Sequence, residues 1–200
     1  MAHFKHYLLF IQFVFVFSAF AQKKPVKVLI VDGFSNHNWQ QTTKMVKQIL
    51  GESKLFDITV STTPNNPEDS IAWKAWAPAF NQFDVVIQNT NNIQNTKLKW
   101  PARVQRNLES YVKNGGGLYI LHSANNAFSD WEEYNKMIGL GWRQKSYGYA
   151  LEIDSQRNVK RIAPGEGKET FHGNRSDLYI TILNRNPINK GYPDVWKTPI

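Results

Sequence analysis

The chain has 200 residues, of which 42% are hydrophobic and 14% aromatic, and 24 lysine and arginine residues outnumber 16 aspartate and glutamate residues. This length and hydrophobicity predict one globular domain and exclude an intrinsically disordered chain. The chain has no cysteine, which excludes disulfide scaffolds, thiolate metal sites, iron–sulfur clusters and cysteine nucleophiles.

The N-terminus has the pattern of a secretory signal peptide. Residues 8–17 form an almost unbroken apolar run, and residues 18–21 place small side chains where signal peptidase recognises them. A membrane anchor is the alternative, but a bilayer-spanning helix needs about 20 apolar residues and this run has about ten. We therefore expect residues 1–21 to be cleaved before Gln22, leaving a periplasmic or secreted bacterial domain over 22–200 with no stable membrane anchor.

The formal net charge of +8 raises the question of a nucleic-acid partner. The basic residues are scattered as singles and pairs, without the run of five or six that is typical of a nucleic-acid-binding segment. We therefore expect a solvated basic surface and no nucleic-acid partner.

The first half of the mature chain alternates strand and helix patterns. The β-branched run at 26–31 predicts a strand that ends at the turn Asp32-Gly33. Apolar residues at helical spacing predict a helix over 39–50, and Gly51 marks its end. Residues 57–61 predict a second strand.

The alternation of strands and helices continues as far as a fourth strand, and antiparallel strands are expected after it. Residues 83–88 predict a third strand, a helix is expected to begin near Pro101, and residues 118–121 predict a fourth strand after a run of three glycines. Beyond these, the segments near 151–153 and 178–183 favour antiparallel strands.

Strand and helix alternation at this spacing predicts an α/β fold with a parallel sheet and helices on both faces. In such sheets the ligand site lies at the carboxyl ends of the strands. Polar clusters at 32–39, 88–92 and 122–128 follow the first, third and fourth predicted strands. We expect them to form the site.

Three histidines belong to the mature chain: His37, His122 and His172. Histidine acts as general acid or base near neutral pH and also binds metals. Each could instead be an ordinary surface residue. Three imidazoles could also hold zinc, although no H-x-H or H-E-x-x-H spacing supports this. The sequence leaves the metal and any other cofactor unknown.

The glycine run at 115–117, the strand after it and His122-Ser123 together have the pattern of a nucleophile elbow. Adjacent side chains seldom face each other, so Ser123 and His122 are a poor nucleophile and base pair. No G-x-S-x-G or G-x-G-x-x-G motif is present, which argues against nucleotide binding. The alternative is a simple strand end followed by a helix cap at Asn125 or Ser129.

Aromatic and amide side chains share these loops and carry few charges. Such a mixture suits a neutral polyhydroxylated ligand, because rings cover the C–H faces of a sugar and amides bond its hydroxyls. Core packing is the alternative for about half of the tryptophans, and a protein-binding surface would use similar residues. The candidate ligand contacts are Asn36, Trp39, Asn89, Ser123, Asn125, Trp131 and Trp142.

An ordered series of motifs resembles the ThuA-like (trehalose utilisation) family. The matching positions are 28–33, 36–39, 83–86, 115–124, 131, 134, 138–142, 172–173, 186–188, 191, 193 and 196. The resemblance implies a flavodoxin-like sheet of the class I glutamine amidotransferase type. It also implies a role in sugar metabolism, often beside oxidoreductases that act on keto-sugars.

Two departures from the related folds are informative. Amidotransferases carry a cysteine at the elbow where this sequence has His122, and an imidazole cannot replace a thiolate attacking an amide, so glutaminase activity is not expected. Family members usually continue past the segment that contains Gly191, Pro193 and Trp196. We therefore expect either a domain that is incomplete at its C-terminus or a minimal variant of the family.

These observations lead to the hypothesis of an exported carbohydrate-active hydrolase or lyase that acts on a sugar or keto-sugar. His37 and His122 would be the acid and base, His172 would complete the pocket or hold a metal, and Asp32 would orient His37. The alternatives are a non-catalytic carbohydrate-binding or scaffold protein and an inactive fragment. The sequence leaves the oligomeric state open.

Overall fold

The computed structural model describes residues 24–171, 173–174 and 176–198. The predicted signal peptide and His172 lie outside the described residues. Within the described ranges, no helix has both the length and the apolar character that crossing a membrane requires.

Four parallel strands form the central sheet, in the order β2-β1-β3-β4. They are β1 (Val26–Asp32), β2 (Phe56–Thr62), β3 (Val85–Gln88) and β4 (Gly117–Ile120). All four predicted strands are present, each within two residues of its predicted bounds. The third strand begins at Val85, two residues later than predicted, because a 3-10 turn over Phe80–Gln82, with Phe83 as its C-cap, precedes it.

Within the described part of the chain, four α-helices accompany the sheet: α1 (Trp39–Glu52), α2 (Ser70–Ala75), α3 (Ala102–Lys113) and α4 (Glu132–Ile138). The Asn38 side chain caps α1 by accepting a hydrogen bond from the Gln41 amide at 3.0 Å. Helix α1 continues through Gly51, which therefore does not end it. Helix α3 buries Val104, Leu108 and Tyr111, the apolar face expected from their spacing.

The core lies on both faces of the sheet. Leu29 and Val31 of β1 point into one cluster with α3, whereas Val28 and Ile30 point into a second cluster that includes residues of α1. This alternation with a period of two means that β1 is buried on both sides, as expected when helices cover a parallel sheet. The predicted α/β architecture with helices on both faces is confirmed.

Two antiparallel hairpins follow the sheet. Strand β5 (Ala150–Ile153) pairs with β6 (Val159–Ile162), and β7 (Leu178–Thr181) pairs with β8 (Val195–Thr198). The predicted antiparallel segments near 151–153 and 178–183 correspond to β5 and β7. Their partner strands β6 and β8 were not predicted.

Candidate functional site

The loops that follow β1 and β4 meet at the carboxyl end of the sheet. The ring centroids of His37 and His122 are 5.0 Å apart, and their planes are inclined by 50°. Both histidines are exposed. The structure therefore brings together two of the three histidines that the sequence singled out.

His122 occupies a sharp turn at the end of β4. Its φ of 46° lies in the left-handed region, which a residue with a Cβ seldom adopts. A 3-10 turn over His122–Asn126 follows directly. This local geometry agrees with the elbow pattern in the sequence, with the imidazole at the tip.

Asn91 joins the two loops that carry the histidines. Its side-chain nitrogen donates to Asn36 Oδ1 at 2.9 Å and to the Ser123 carbonyl at 2.8 Å. Asn91 is buried, so these bonds are shielded from water. Ser35 Oγ and Ser123 Oγ add a contact of 3.4 Å between the same loops. Asn91 thus ties together the two loops that carry the histidines, a structural role that the sequence did not indicate.

A cleft of about 840 Å³ opens beside the two imidazoles, and we call it the histidine cleft. Its size is within the range of small-molecule sites. Six predicted site residues line it: Asn36, His37, His122, Ser123, Asn125 and Trp142. Sequence reasoning missed Leu178 and Thr198, which the β7–β8 hairpin contributes to the wall, because neither carries a recognisable motif.

The described lining of the histidine cleft contains no aspartate, glutamate, lysine or arginine. Its polar groups are amides, hydroxyls and the two imidazoles. Such a lining suits a neutral ligand with many hydroxyl groups, because each amide or hydroxyl can donate or accept hydrogen bonds. Over the described part of the chain, no group of three or more histidine, aspartate or glutamate residues is placed to hold a metal ion.

The Asp32 carboxylate does not contact His37. It is only 2% exposed, and its two oxygens accept hydrogen bonds from Thr43 Oγ1 and Thr62 Oγ1, both at 2.7 Å. Asp32 is the last residue of β1, and its side chain is directed toward α1 and β2 rather than into the loop after β1. This placement corrects the expectation that Asp32 orients His37.

Three other predicted ligand contacts do not line the histidine cleft. Asn89 is buried and donates to Thr43 Oγ1 at 3.2 Å, which directs its amide toward α1. Trp131 is buried in the core, where its indole nitrogen donates to Glu109 Oε1 at 2.7 Å. Trp39 is the first residue of α1 and is partly buried there. Internal packing therefore accounts for Asn89 and Trp131.

Arg143 is a structural anchor that sequence reasoning missed. Its guanidinium donates to the carbonyls of Asn125 at 2.8 Å, Ala127 at 2.9 Å and Trp142 at 2.8 Å, and to Asn135 Oδ1 at 2.8 Å. Partial burial lowers the pKa of Arg143 from its ordinary value. One side chain thus ties the loop that carries Asn125 to the segment that carries Trp142.

The comparisons with known proteins agree with this fold. A family model for ThuA, described as trehalose utilisation, matches residues 27–199. The crystal structure of a ThuA-like protein from Parabacteroides merdae is similar, with a TM-score of 0.75 and 30% sequence identity. The match covers 87% of this chain and 60% of the other, so this chain spans less than two thirds of its relative. No protein of curated function matches.

Proposed function

The chain belongs to the ThuA family, which connects it with carbohydrate metabolism, and we propose that it acts on a sugar or keto-sugar through acid–base chemistry at His37 and His122. In the flavodoxin-like, glutamine amidotransferase-like fold of this chain, the two imidazoles lie at the carboxyl end of the parallel sheet, where ligands of such folds generally bind. The N-terminal signal pattern makes the proposed site of action the periplasm or the extracellular medium.

The observation that carries the proposal is the pair of imidazoles 5.0 Å apart in the histidine cleft. Among the described residues, neither ring forms a hydrogen bond to another protein group, so their nitrogens are available to a ligand. Imidazole both accepts and donates protons near neutral pH. Two rings at this separation can act on neighbouring atoms of one small molecule, one as base and the other as acid.

A keto-sugar suits this pair because its carbonyl makes the neighbouring C–H bond acidic enough for an imidazole base. One histidine removes that proton, and the electron pair of the C–H bond forms a carbon–carbon double bond. The C–O bond on the next carbon breaks, and the other histidine donates a proton to the departing oxygen. The products are an unsaturated keto-sugar and an alcohol. Addition of water to the double bond would make the net reaction a hydrolysis.

Two other reactions fit the described cleft less well. Most glycosidases use a pair of carboxylic acids on either side of the scissile bond, and the described lining offers neither aspartate nor glutamate. Glutamine hydrolysis needs a thiolate at the elbow, where this chain has His122. His172, which lies outside the described residues, remains the predicted third member of the site.

The test is incubation of the protein with a panel of keto-glucosides and the corresponding unoxidised glucosides, with chromatographic detection of the released alcohol. We expect turnover of keto-glucosides and loss of that turnover in His122→Ala. No turnover of any keto-glucoside, or equal rates for wild type and His122→Ala, would overturn the proposal.

A non-catalytic sugar-binding role is the second candidate, and it is favoured by the presence of Trp142, Asn36 and Asn125 together in the lining of the histidine cleft. An aromatic ring and amides bind a neutral sugar without any proton transfer. Under this alternative, sugar affinity survives His37→Ala and His122→Ala but falls in Trp142→Ala. Isothermal titration with these variants separates the two functions.

A further inference from the structure

Strand β4 lies at one edge of the central sheet, and within the described residues no other strand pairs with its outer side. The backbone amides of Gly117 and Leu121 donate toward β3, at 3.1 and 3.0 Å from their acceptor oxygens. Alternate residues of an edge strand bond the neighbouring strand, so the N–H and C=O groups of Leu118 and Ile120 point away from β3. The outer side of β4 therefore presents free donors and acceptors to solvent.

Tyr119, between these two residues, lies on a face of the sheet that loses its cover toward β4. Ile30, Ile87 and Tyr119 are neighbours in register on β1, β3 and β4, so their side chains point to the same face. Their exposed fractions rise across the sheet from 0% to 7% and then to 56%. Helix α1 covers this face, but it packs against β1 and β2. Both faces of a parallel sheet are normally covered, so the exposed ring marks a place for a further packing partner.

Strand β4 also lacks the features that usually keep an edge strand from pairing. Such strands commonly carry a charged residue, a proline or a bulge. Residues 114–122 contain no aspartate, glutamate, lysine, arginine or proline, and the pairing of β4 with β3 is in unbroken register. Strand β2, at the other edge of the sheet, exposes Asp57 and comes shortly after the exposed Lys54. The contrast indicates that β4 is the edge that is open to a partner.

A second copy of the chain fits this edge because the free groups of β4 are complementary to themselves. In an antiparallel pair related by a two-fold axis through Tyr119, Leu118 lies opposite the partner's Ile120, and the two residues exchange both of their backbone hydrogen bonds. Tyr119 then lies opposite its own counterpart in a non-hydrogen-bonded pair, where side chains approach closely and aromatic pairs stabilise a sheet. A shift of the register by one residue would place these free groups opposite groups that already bond β3.

We propose that two copies of this chain associate through antiparallel pairing of their β4 strands, which joins the two central sheets into one continuous sheet and covers both Tyr119 rings. The histidine cleft lies beyond the carboxyl end of β4, so the two clefts of the dimer face opposite ends of the joined sheet. The strand has only four residues, and the association therefore belongs to the weak end of specific protein pairs.

The test is sedimentation velocity of the purified protein from about 1 μM to about 200 μM, the range suited to a weak interface. We expect wild type to dimerise reversibly, and Tyr119→Phe, which keeps the ring, to have a Kd within about threefold of wild type. In Tyr119→Lys and in Tyr119→Glu, like charges lie opposite each other at the two-fold axis and should raise the Kd at least about tenfold. Ile71→Lys, which replaces an 80% exposed apolar residue of α2, is the matched control and should dimerise as wild type does.

An equal mixture of Tyr119→Lys and Tyr119→Glu should recover dimers, because each charge then lies opposite its complement. This recovery also distinguishes lost pairing from lost folding, since unfolded variants would not regain the dimer on mixing. A monomeric wild type would overturn the proposal and leave the β4 edge to a different partner. Unchanged dimers in Tyr119→Lys, or no recovery in the mixture, would each show that the copies do not pair through β4.

Discussion

The imidazoles of His37 and His122 lie 5.0 Å apart although their loops follow β1 and β4, two strands that do not pair with each other. Strand β3 lies between them. The rings meet because both loops fold over the end of β3, where Asn91 bonds Asn36 and Ser123. The two imidazoles therefore come together because of the order of the strands and because of one buried amide side chain, that of Asn91.

The first prediction concerns the two histidines as a pair. His37→Ala and His122→Ala should each lower kcat/KM for a keto-glucoside by about 10²–10⁴-fold, the usual contribution of a general acid or base. If one ring acts as acid and the other as base in a single step, the double variant should be little worse than either single variant. Steady-state kinetics on the three variants measures this.

Lys47→Ala, on the exposed surface of α1, is the control and should retain the wild-type rate. Losses in the two single variants that multiply in the double variant would show that the histidines act independently. That result would contradict a concerted acid–base pair.

The second prediction follows from the backbone of His122. A φ of 46° is unfavourable for a residue with a Cβ by about 1–2 kcal/mol, whereas glycine adopts it freely. His122→Gly should therefore be more stable than His122→Ala by about 1 kcal/mol, after allowing for the greater freedom of glycine in the unfolded chain. Urea denaturation of both variants measures the difference.

A helical position provides the matched comparison. At Lys47, in the middle of α1, alanine should be more stable than glycine by about 1 kcal/mol, the reverse of the order at His122. The same order at both positions would show that the elbow conformation is not maintained in solution.

Much of the fold could be predicted because β1 is apolar on both faces and because turn residues separate the strands. Helix α2 could not be predicted, since its six residues are too few to show a helical period. The partners of β5 and β7 were also missed. Basic residues interrupt the apolar alternation that identifies a half-buried strand: Lys160 and Arg161 in β6 and Lys197 in β8.

The part of the candidate site that lies in the loops after the strands could be predicted from the sequence. His37, His122 and Trp142 all line one cleft, as their places in loops indicated. The directions of the Asp32 and Trp131 side chains could not be predicted, because they depend on hydrogen-bond partners from other elements. The partners of Asp32 are the Thr43 and Thr62 hydroxyls, and the partner of Trp131 is the Glu109 carboxylate. Sequence spacing carries no information about such tertiary hydrogen bonds.

The third prediction tests the role of Asp32. Asp32→Ala leaves the buried Thr43 hydroxyl without its acceptor and removes a second hydroxyl bond from Thr62, and we expect a loss of about 3 kcal/mol in the free energy of unfolding. Thr43→Val, which removes one of these bonds, should lower it by about 1 kcal/mol. Urea denaturation provides both values.

A third variant, Asp32→Asn, separates a structural role of Asp32 from a chemical one. If Asp32 only supports the fold, folded Asp32→Asn should show the wild-type pH dependence of kcat/KM for the keto-glucoside. A shifted pH profile at unchanged stability would instead restore the idea that Asp32 acts on His37.

The fourth prediction concerns Arg143, which holds the loop of Asn125 against Trp142. Lysine keeps the charge but lacks the planar fork that reaches the carbonyls of Asn125 and Ala127 together, so Arg143→Lys should lower the free energy of unfolding by about 2 kcal/mol. Arg106→Lys on the exposed surface of α3 should change it by less than about 0.5 kcal/mol. Because Arg143 bonds the carbonyls of Asn125 and Trp142, which both line the histidine cleft, Arg143→Lys should also weaken sugar binding in isothermal titration. An unchanged sugar affinity in the folded variant would mean that Arg143 stabilises the fold without positioning the wall of the histidine cleft.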